Sequence, residues 1–251
     1  LSLLAGCGAG PGAELATSET TQATGSDGEA QPAAAATSAA PAAASVAEAL
    51  AAKDGDHEDA GDAVWDSSAA VLITLHGSSI AVDGEGAGVD GSRVTITSAG
   101  TYLIGGSLAD GQIVVDAPDE ALVRLVLNGV EVRSSTSAPL HVAAAEKVVI
   151  VLGDDTENFL SDAAAYVFQS AEEDEPNAAL FSTADLTLVG NGSLTVEGNY
   201  NDGIASKDGL IIAGGTITVA AADDGIRGKD YVVIRDGTLN VTAQGDGLKS
   251  A

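Results

Sequence analysis

An internal 22-residue repeat constrains the fold of this chain more than any other feature of its sequence. The triplets Asp202-Gly203-Ile204, Asp224-Gly225-Ile226 and Asp246-Gly247-Leu248 recur with this constant spacing. Beyond the first two triplets the match continues, since Gly215-Thr216-Ile217 aligns with Gly237-Thr238-Leu239. A fixed period of this length is typical of repeat architectures, in which each unit buries its apolar face against its neighbour.

Each repeat contains three short runs of alternating apolar residues, separated by Gly or Asp. Such runs are too short for helices and too close together for crossover helices, so they predict strands. Three strands per repeat, each stacked on its equivalent in the next repeat, predict a parallel β-helix. In that fold Ile204, Ile226 and Leu248 stack on one inward face, and Ile217 and Leu239 stack on another. A β-propeller is the alternative, but its blades need roughly twice this period.

The three triplet aspartates, Asp202, Asp224 and Asp246, are called the aspartate ladder below. Equivalent strands lie about 4.8 Å apart, so these carboxylates would form a column with Asp223 beside it. Like charges at that spacing repel by about 3.5 kcal/mol at an effective dielectric near 20. Calcium midway between two carboxylates would lie about 2.4 Å from each, inside its preferred range. We therefore predict Ca²⁺ bound by Asn201, Asp202, Asp223, Asp224 and Asp246. The alternative is that Asp-Gly is only turn chemistry.

The charge balance limits the class of partner. Ten Lys and Arg residues stand against 37 Asp and Glu residues, which gives a formal net charge of −27. Nucleic-acid binding requires clustered cations that neutralise phosphates, so this balance excludes nucleic acid as a partner.

Residues 1–62 are predicted to be a surface tether. Leu4-Ala5-Gly6-Cys7 follows an apolar stretch and resembles the bacterial lipobox, in which a signal peptide is cut before an acylated cysteine. Residues 1–7 would then be a signal-peptide remnant with lipidation at Cys7; the alternative is an ordinary surface cysteine. Residues 8–62 are rich in small and polar residues and predict a disordered linker. We expect an extracellular, cell-surface bacterial lipoprotein, monomeric and attached to the membrane only through lipid.

The stretch from Asn199 to Ser250 resembles the calcium-binding, carbohydrate-binding β-helix family of bacterial surface proteins. The resemblance rests on Asp-Gly-Ile and Gly-Lys-Asp elements that recur in the register of the repeat, and it extends over residues 64–251. That family is similar in fold to pectate lyases and binds cellulose and pectic acid. The resemblance implies an all-β fold for residues 63–251, a right-handed parallel β-helix in which each coil corresponds to one 22-residue repeat. The chain ends three residues after Leu248, which is consistent with a missing terminal coil.

The function predicted from these features is calcium-dependent binding of a polysaccharide, an acidic (pectic) or other plant cell-wall glycan. Basic residues near the aspartate ladder would pair with uronate carboxylates. These ligand-binding candidates are Lys207, Arg227, Lys229 and Lys249. Pairing of the lysines with Asp208 and Asp230 is the alternative. Only Tyr200 and Tyr231 lie near the repeats as aromatic platforms, which disfavours crystalline cellulose as the ligand.

Two other function classes remain open. The first is a polysaccharide lyase, in which calcium acidifies the α-proton of a uronate and Lys207 or Lys229 removes it. Nothing in the sequence separates such a base from a binding lysine. The second is an adhesin or ice-binding scaffold, suggested by the outward pair Thr216 and Thr218. Asn240 interrupts that pattern in the next repeat, which argues against the scaffold.

Overall fold

A computed structural model describes residue 57 and residues 59–170 and 172–250, all of which belong to one compact unit. Every regular element among them is a strand. The strands are β1 (Val71–Gly77), β2 (Ile80–Asp83), β3 (Ala87–Asp90), β4 (Arg93–Ile96), β5 (Gly100–Leu108), β6 (Gln112–Asp116), β7 (Leu122–Arg133), β8 (Leu140–Ala144), β9 (Lys147–Leu152), β10 (Glu157–Ser161), β11 (Ala178–Ser182), β12 (Asp185–Gly190), β13 (Ser193–Gly198), β14 (Asp202–Ser206), β15 (Gly209–Ala221), β16 (Ile226–Gly228), β17 (Tyr231–Ala243) and β18 (Leu248–Ser250). Within this described part, no helix has the length and hydrophobicity to cross a membrane.

The strands form two sheets that are parallel except for one antiparallel pair in each. The larger sheet has ten strands in the order β10-β13-β15-β12-β9-β7-β5-β1-β2, with β17 paired to β15. The smaller sheet has eight strands in the order β18-β16-β14-β11-β8-β6-β4-β3. In each sheet, strands from successive repeats are therefore neighbours.

The larger sheet closes on itself. Because β10 also pairs with β7, the strands β7, β9, β12, β15, β13 and β10 form a ring of parallel pairings. The architecture is a closed six-stranded parallel barrel plus a second sheet. The prediction of a right-handed parallel β-helix with three strands per repeat is therefore wrong.

The difference arises at a glycine bend inside the long strands. Residues Leu210–Ile212 of β15 pair with β12, whereas residues Thr216–Ala221 of the same strand pair with β13. Gly215 lies between these two segments with a φ of 85°, a backbone conformation that glycine adopts without steric cost. The strand therefore bends and continues, so two of the three predicted strands are one strand.

The core lies between the two sheets, and its stacking follows the repeat. Ile204 pairs in register with Ile226, and Ile226 pairs with Leu248, which confirms the predicted stacking, but Leu248 is 48% exposed and only the two isoleucines are buried. Ile217 pairs with Leu239 as predicted. Ile204, Ile226 and Ile217 are fully buried, and burial of each such side chain contributes about 1.5–3 kcal/mol.

The predicted tether is largely outside the described residues, and so is Cys7 with the lipobox. The predicted domain boundaries at residues 7 and 62 stay predictions. His57 and the segment 59–62 are described, and they lie against the larger sheet.

Candidate functional site

The Asp-Gly turns align across successive repeats because their glycines permit close approach. The amide of Gly203 donates to the carbonyl of Asp224, and the amide of Gly225 donates to the carbonyl of Asp246. A Cβ added at Gly203 would lie 2.2 Å from a methyl carbon of Val219, and one at Gly225 would lie 2.3 Å from Val241. At Gly203 and Gly225 these contacts exclude any side chain, so close packing, rather than positive φ, requires glycine there, whereas a Cβ on Gly247 would meet nothing within 4 Å.

The carboxylates of the aspartate ladder join each repeat to the next. The amide of Asp224 donates to Oδ1 of Asp202 at 3.2 Å, and the amide of Asp246 donates to Oδ1 of Asp224 at 2.9 Å. The other oxygen of each buried carboxylate accepts from a cation. Arg227 donates to Asp202 at 2.7 Å, and Lys249 donates to Asp224 at 2.8 Å. Each aspartate is thus paired with a basic residue of the following repeat, at the same sequence separation in both pairs.

The two pairs differ in their surroundings. The side chain of Asp202 is 1% exposed, and burial raises the pKa of its carboxyl although Arg227 acts in the opposite direction. Burial also acts to raise the pKa of Asp224. The hydrogen bond and charge of Lys249, together with the Asp246 amide, outweigh that effect and lower the pKa. Desolvation therefore decides the direction of the pKa shift of Asp202, and the interactions with Lys249 decide that of Asp224.

Three of the five predicted metal ligands come together. Carboxylate oxygens of Asp202, Asp223 and Asp224 all lie within 4.8 Å of one another, and Asp223 is exposed. Asn201 donates from Nδ2 to Asp202 at 3.2 Å. The side chain of Asp246 is 66% exposed and lies 3.8 Å from Lys249.

The space beside this cluster is kept open by glycine. A Cβ on Gly245 would lie 2.5 Å from an Asp223 oxygen and 2.7 Å from an Asp224 oxygen. This oxygen-rich donor set, with room beside it, fits a hard divalent cation.

The predicted basic residues separate into two groups. Arg227 and Lys249 contact the ladder directly, as described above. Lys207 pairs with Glu175 at 2.8 Å, and Lys229 is exposed at the surface. The hydrogen bond that Lys249 donates to Asp224, together with the charge of that carboxylate, raises the pKa of Lys249, which keeps the ammonium charged. Arg227 and Lys249 therefore form charge-assisted hydrogen bonds with the ladder carboxylates.

A groove crosses three repeats next to the ladder. Its volume is about 400 Å³, within the range of ligand sites. The groove is lined by Glu197, Gly198, Asn199, Ala220, Ala221, Ala222 and Gln244. Because Asn199 and Ala222 closely precede Asp202 and Asp223 in the chain, one end of the groove lies at the carboxylate cluster.

Comparison with known proteins identifies the family. A family described as "Carbohydrate-binding domain-containing protein" matches residues 90–251, more than half of the chain. The chain belongs to this family. A carbohydrate-binding domain-containing protein of Acetivibrio thermocellus is 44% identical over 137 residues, which are 55% of this chain and 48% of the relative. This chain therefore spans about half the length of that relative.

A solved structure is also similar to this carbohydrate-binding domain. It is described as "Structure of the polysaccharide lyase-like protein from C. thermocellum, Gadolinium derivative". The two structures superpose with a TM-score of 0.71 at 40% sequence identity. The match covers 72% of this chain and 73% of the other.

Beside the ladder, the carbohydrate-binding domain carries an aromatic cluster that the repeat pattern does not predict. The rings of Tyr166 and Tyr200 stack with centroids 4.3 Å apart, and Phe168 lies about 6 Å from both. The Tyr166 hydroxyl donates to Asp162 at 2.7 Å, and burial raises the pKa of Tyr166. Tyr166 and Phe168 lie on a non-repeating loop, so only Tyr200 had a sequence signal, its place in the repeats.

The same loop reaches the ladder directly. The carbonyl of Asn177 accepts from the Asp202 amide at 3.1 Å, and its side-chain oxygen accepts from Arg227 at 3.2 Å. The aromatic cluster, Arg227 and the carboxylates are therefore held as neighbours by one loop.

Proposed function

We propose that this carbohydrate-binding domain binds acidic polysaccharides, of the pectic or plant cell-wall type, in a calcium-dependent manner. The observation that carries the proposal is the carboxylate cluster of Asp202, Asp223 and Asp224 flanked by Arg227 and Lys249. Membership of the family supports a carbohydrate ligand, and the polysaccharide lyase-like relative supports a polymeric one.

The calcium part of the proposal rests on donor chemistry. Calcium takes six to eight oxygen ligands, and Asp202, Asp223 and Asp224 would supply carboxylates, with Asn201 and Asp246 next to them. The bound ion would supply a fixed positive charge for a uronate carboxylate. The relative described as a gadolinium derivative is consistent with this, because gadolinium is also a hard cation.

The chain's own cations would orient an anionic ligand. Arg227 has five N–H donors, and Asp202 and Asn177 accept from only some of them. Lys249 is 43% exposed and has three donors, of which Asp224 accepts one. Both residues can therefore hold the ladder and still contact a carboxylate of the ligand.

The test distinguishes a specific calcium site from a general effect of the protein's negative charge. Asp223→Asn removes the exposed carboxylate and leaves both ion pairs in place, and Asp90→Asn is the control at an exposed position of β3. Titration calorimetry with CaCl₂, followed by binding to polygalacturonate with and without EGTA, measures both steps. We expect at least tenfold weaker calcium and glycan binding for Asp223→Asn and wild-type values for Asp90→Asn. Glycan binding that EGTA leaves unchanged would overturn calcium dependence.

We also propose that Cys7 is acylated and anchors a monomeric protein at the bacterial cell surface. The support is the Leu4–Cys7 motif and the low-complexity sequence that follows it. Fractionation of cells that express the full chain should place the wild type in the membrane fraction and Cys7→Ser in the soluble fraction. Equal membrane retention of both would contradict the anchor, and light scattering tests the monomer.

A lyase is the second candidate because the similar structure is described as polysaccharide lyase-like. Lys207 and Lys229 are the candidate bases. Incubation with polygalacturonate and calcium, monitored by the ultraviolet absorbance of unsaturated uronides, distinguishes the two functions. Steady product formation that Lys229→Ala or Lys207→Ala abolishes would establish the lyase.

A further inference from the structure

The acidic segment, residues 172–177, lies directly before β11 and begins with a run of acidic residues. It supplies partners to two basic residues of the repeats. The Nζ atom of Lys207 lies 2.8 Å from each carboxylate oxygen of Glu175. The side-chain oxygen of Asn177 accepts from Arg227 at 3.2 Å. Because one short segment contacts both Lys207 and Arg227, these two cations lie on the same side of the smaller sheet.

The repeat gives Lys207 a counterpart in the next unit, Lys229. Lys207 directly follows β14, and Lys229 directly follows β16. The amide of Lys207 donates to the carbonyl of Ser182, and the amide of Lys229 donates in the same way to that of Ser206. Since β14 and β16 are paired neighbours, the two lysine backbones lie about 4.8 Å apart. The two lysines are therefore equivalent positions in successive repeats.

The two equivalent lysines differ in what they bind. Lys207 holds the carboxylate of Glu175, whereas no ion pair joins the exposed Lys229 to another residue in the described part of the chain. The partner of Lys207 comes from a segment outside the repeat, so the repeat itself does not require this carboxylate. Glu175 therefore shows that the lysine position accepts a carboxylate that approaches from outside the repeats.

The pair between Lys207 and Glu175 can open. Their side chains are 41% and 35% exposed, and water screens ion pairs of this kind, so they are weak. A ligand carboxylate that takes the place of Glu175 restores the same charge-assisted hydrogen bonds to Lys207. The contact of Asn177 with Arg227 holds the segment in place, which keeps Glu175 at a high effective concentration near Lys207. A ligand must therefore compete with Glu175.

We propose that Glu175 is a built-in competitor of the anionic glycan, because its carboxylate occupies Lys207 at the position that a uronate carboxylate takes when the ligand binds. The proposal rests on the proposed function, since it requires the basic residues beside the ladder to contact an acidic ligand. A glycan would first contact Lys229 and Arg227 and would then displace Glu175 from Lys207. The acidic segment would thus lower the affinity of the domain for its own ligand.

Calorimetry with hexagalacturonate in the presence of CaCl₂ measures this competition. Glu175→Gln removes the competing charge at nearly constant size and should tighten binding about threefold, the amount expected for the loss of an exposed ion pair. Glu172→Gln is the matched control, because it removes the same charge from an exposed position of the same segment. It should bind as the wild type does. Equal tightening by both variants, or none by Glu175→Gln, would overturn the proposal.

A double-mutant cycle tests whether Lys207 is the position for which Glu175 and the ligand compete. Lys207→Gln should weaken hexagalacturonate binding more in the Glu175→Gln background than in the wild type, where Glu175 already engages the ammonium. Equal weakening in the two backgrounds would show that Glu175 and the ligand do not share Lys207, which would refute the proposal.

Failure of the competition is distinguishable from failure of the proposed function. If the wild type binds hexagalacturonate and Glu175→Gln binds no more tightly, the competition alone is wrong. If neither protein binds it, the anionic ligand is wrong and the competition with it. Binding by Glu175→Gln but not by the wild type would support the competition most strongly.

Discussion

The aspartate ladder and the strap, which is the segment of residues 59–65 against the larger sheet, both use buried carboxylates paired with cations, but they are built differently. In the ladder, Asp202 and Asp224 each pair with a basic residue of the next repeat, so the same contact recurs along the chain. In the strap, Asp62 pairs with Lys147 across 85 residues, and the contact occurs in one place. A periodic contact can be inferred from sequence and is made more than once. A unique contact can be found only in the structure, and its loss has no substitute.

The largest effect is expected at the strap. Lys147→Ala leaves the buried carboxylate of Asp62 without its partner, and removal of one member of such a pair costs about 3–5 kcal/mol. Urea unfolding should show this loss in the free energy of unfolding. The double variant Lys147→Met/Asp62→Leu is the control and should recover most of it. A loss below about 1 kcal/mol would mean that the strap contributes little to stability.

An intermediate effect is expected at the ladder. Asp202→Ala removes the acceptor of a buried amide and of Arg227, which should cost about 2–3 kcal/mol. Asp224→Ala should lower the free energy of unfolding by less, because Lys249 is 43% exposed and its ion pair is screened by water. The same unfolding measurement ranks the two. The reverse order would contradict the difference in burial on which the comparison rests.

The pH dependence of the two ladder aspartates should have opposite sign. Folding raises the pKa of Asp202, so the folded state binds more protons there, and stability from this group decreases as pH rises above its unfolded value. Folding lowers the pKa of Asp224, so its contribution is present above the unfolded pKa and is lost as pH falls below it.

Unfolding of the Asn variants between about pH 3 and pH 7 measures this difference. The deficit of Asp224→Asn relative to wild type should shrink towards the acidic end. The deficit of Asp202→Asn should grow over the same interval. Parallel behaviour of both variants would show that the two carboxyls share one environment.

The smallest effect at neutral pH is expected at His141, which faces Phe181 in the smaller sheet. Burial, with the charge of Arg93, lowers the pKa of His141 to about 4. As pH falls, His141 becomes protonated in the unfolded chain before it does in the folded protein. The free energy of unfolding should therefore decrease as pH drops from about 6.5 towards 4. NMR titration of the ring should give a midpoint near pH 4, and His141→Gln should flatten the stability profile. A midpoint near 6.5 would contradict the burial argument.

The repeat predicts part of this molecule well. Its 22-residue period was enough to place Ile204, Ile226 and Leu248 in one stack and to bring Asp202, Asp223 and Asp224 together. The period did not predict the number of strands correctly. In sequence, a glycine that bends a strand, such as Gly215, is indistinguishable from one that ends it.

The features outside the repeat could not be predicted. The stacking of Tyr166 on Tyr200 and the burial of Lys147 with Asp62 depend on contacts between distant, non-repeating segments. His57, which falls in the segment predicted to be a disordered linker, lies beside Asp185 with its side chain 8% exposed. Such contacts are set by how the segments meet in space, and one sequence contains no periodic signal for them.

The hydrogen bonds of the aspartate ladder also give the domain a polarity. Asp202 caps the amide of Asp224, and Asp224 caps the amide of Asp246, so in these side-chain bonds the earlier repeat always supplies the acceptor and the following repeat supplies the donor. Loss of a ladder carboxylate would therefore leave the amide of the following repeat, and not that of the preceding one, without its acceptor. Because the acceptor lies in the earlier repeat, the amide at each new ladder position meets an acceptor that the preceding repeat already presents.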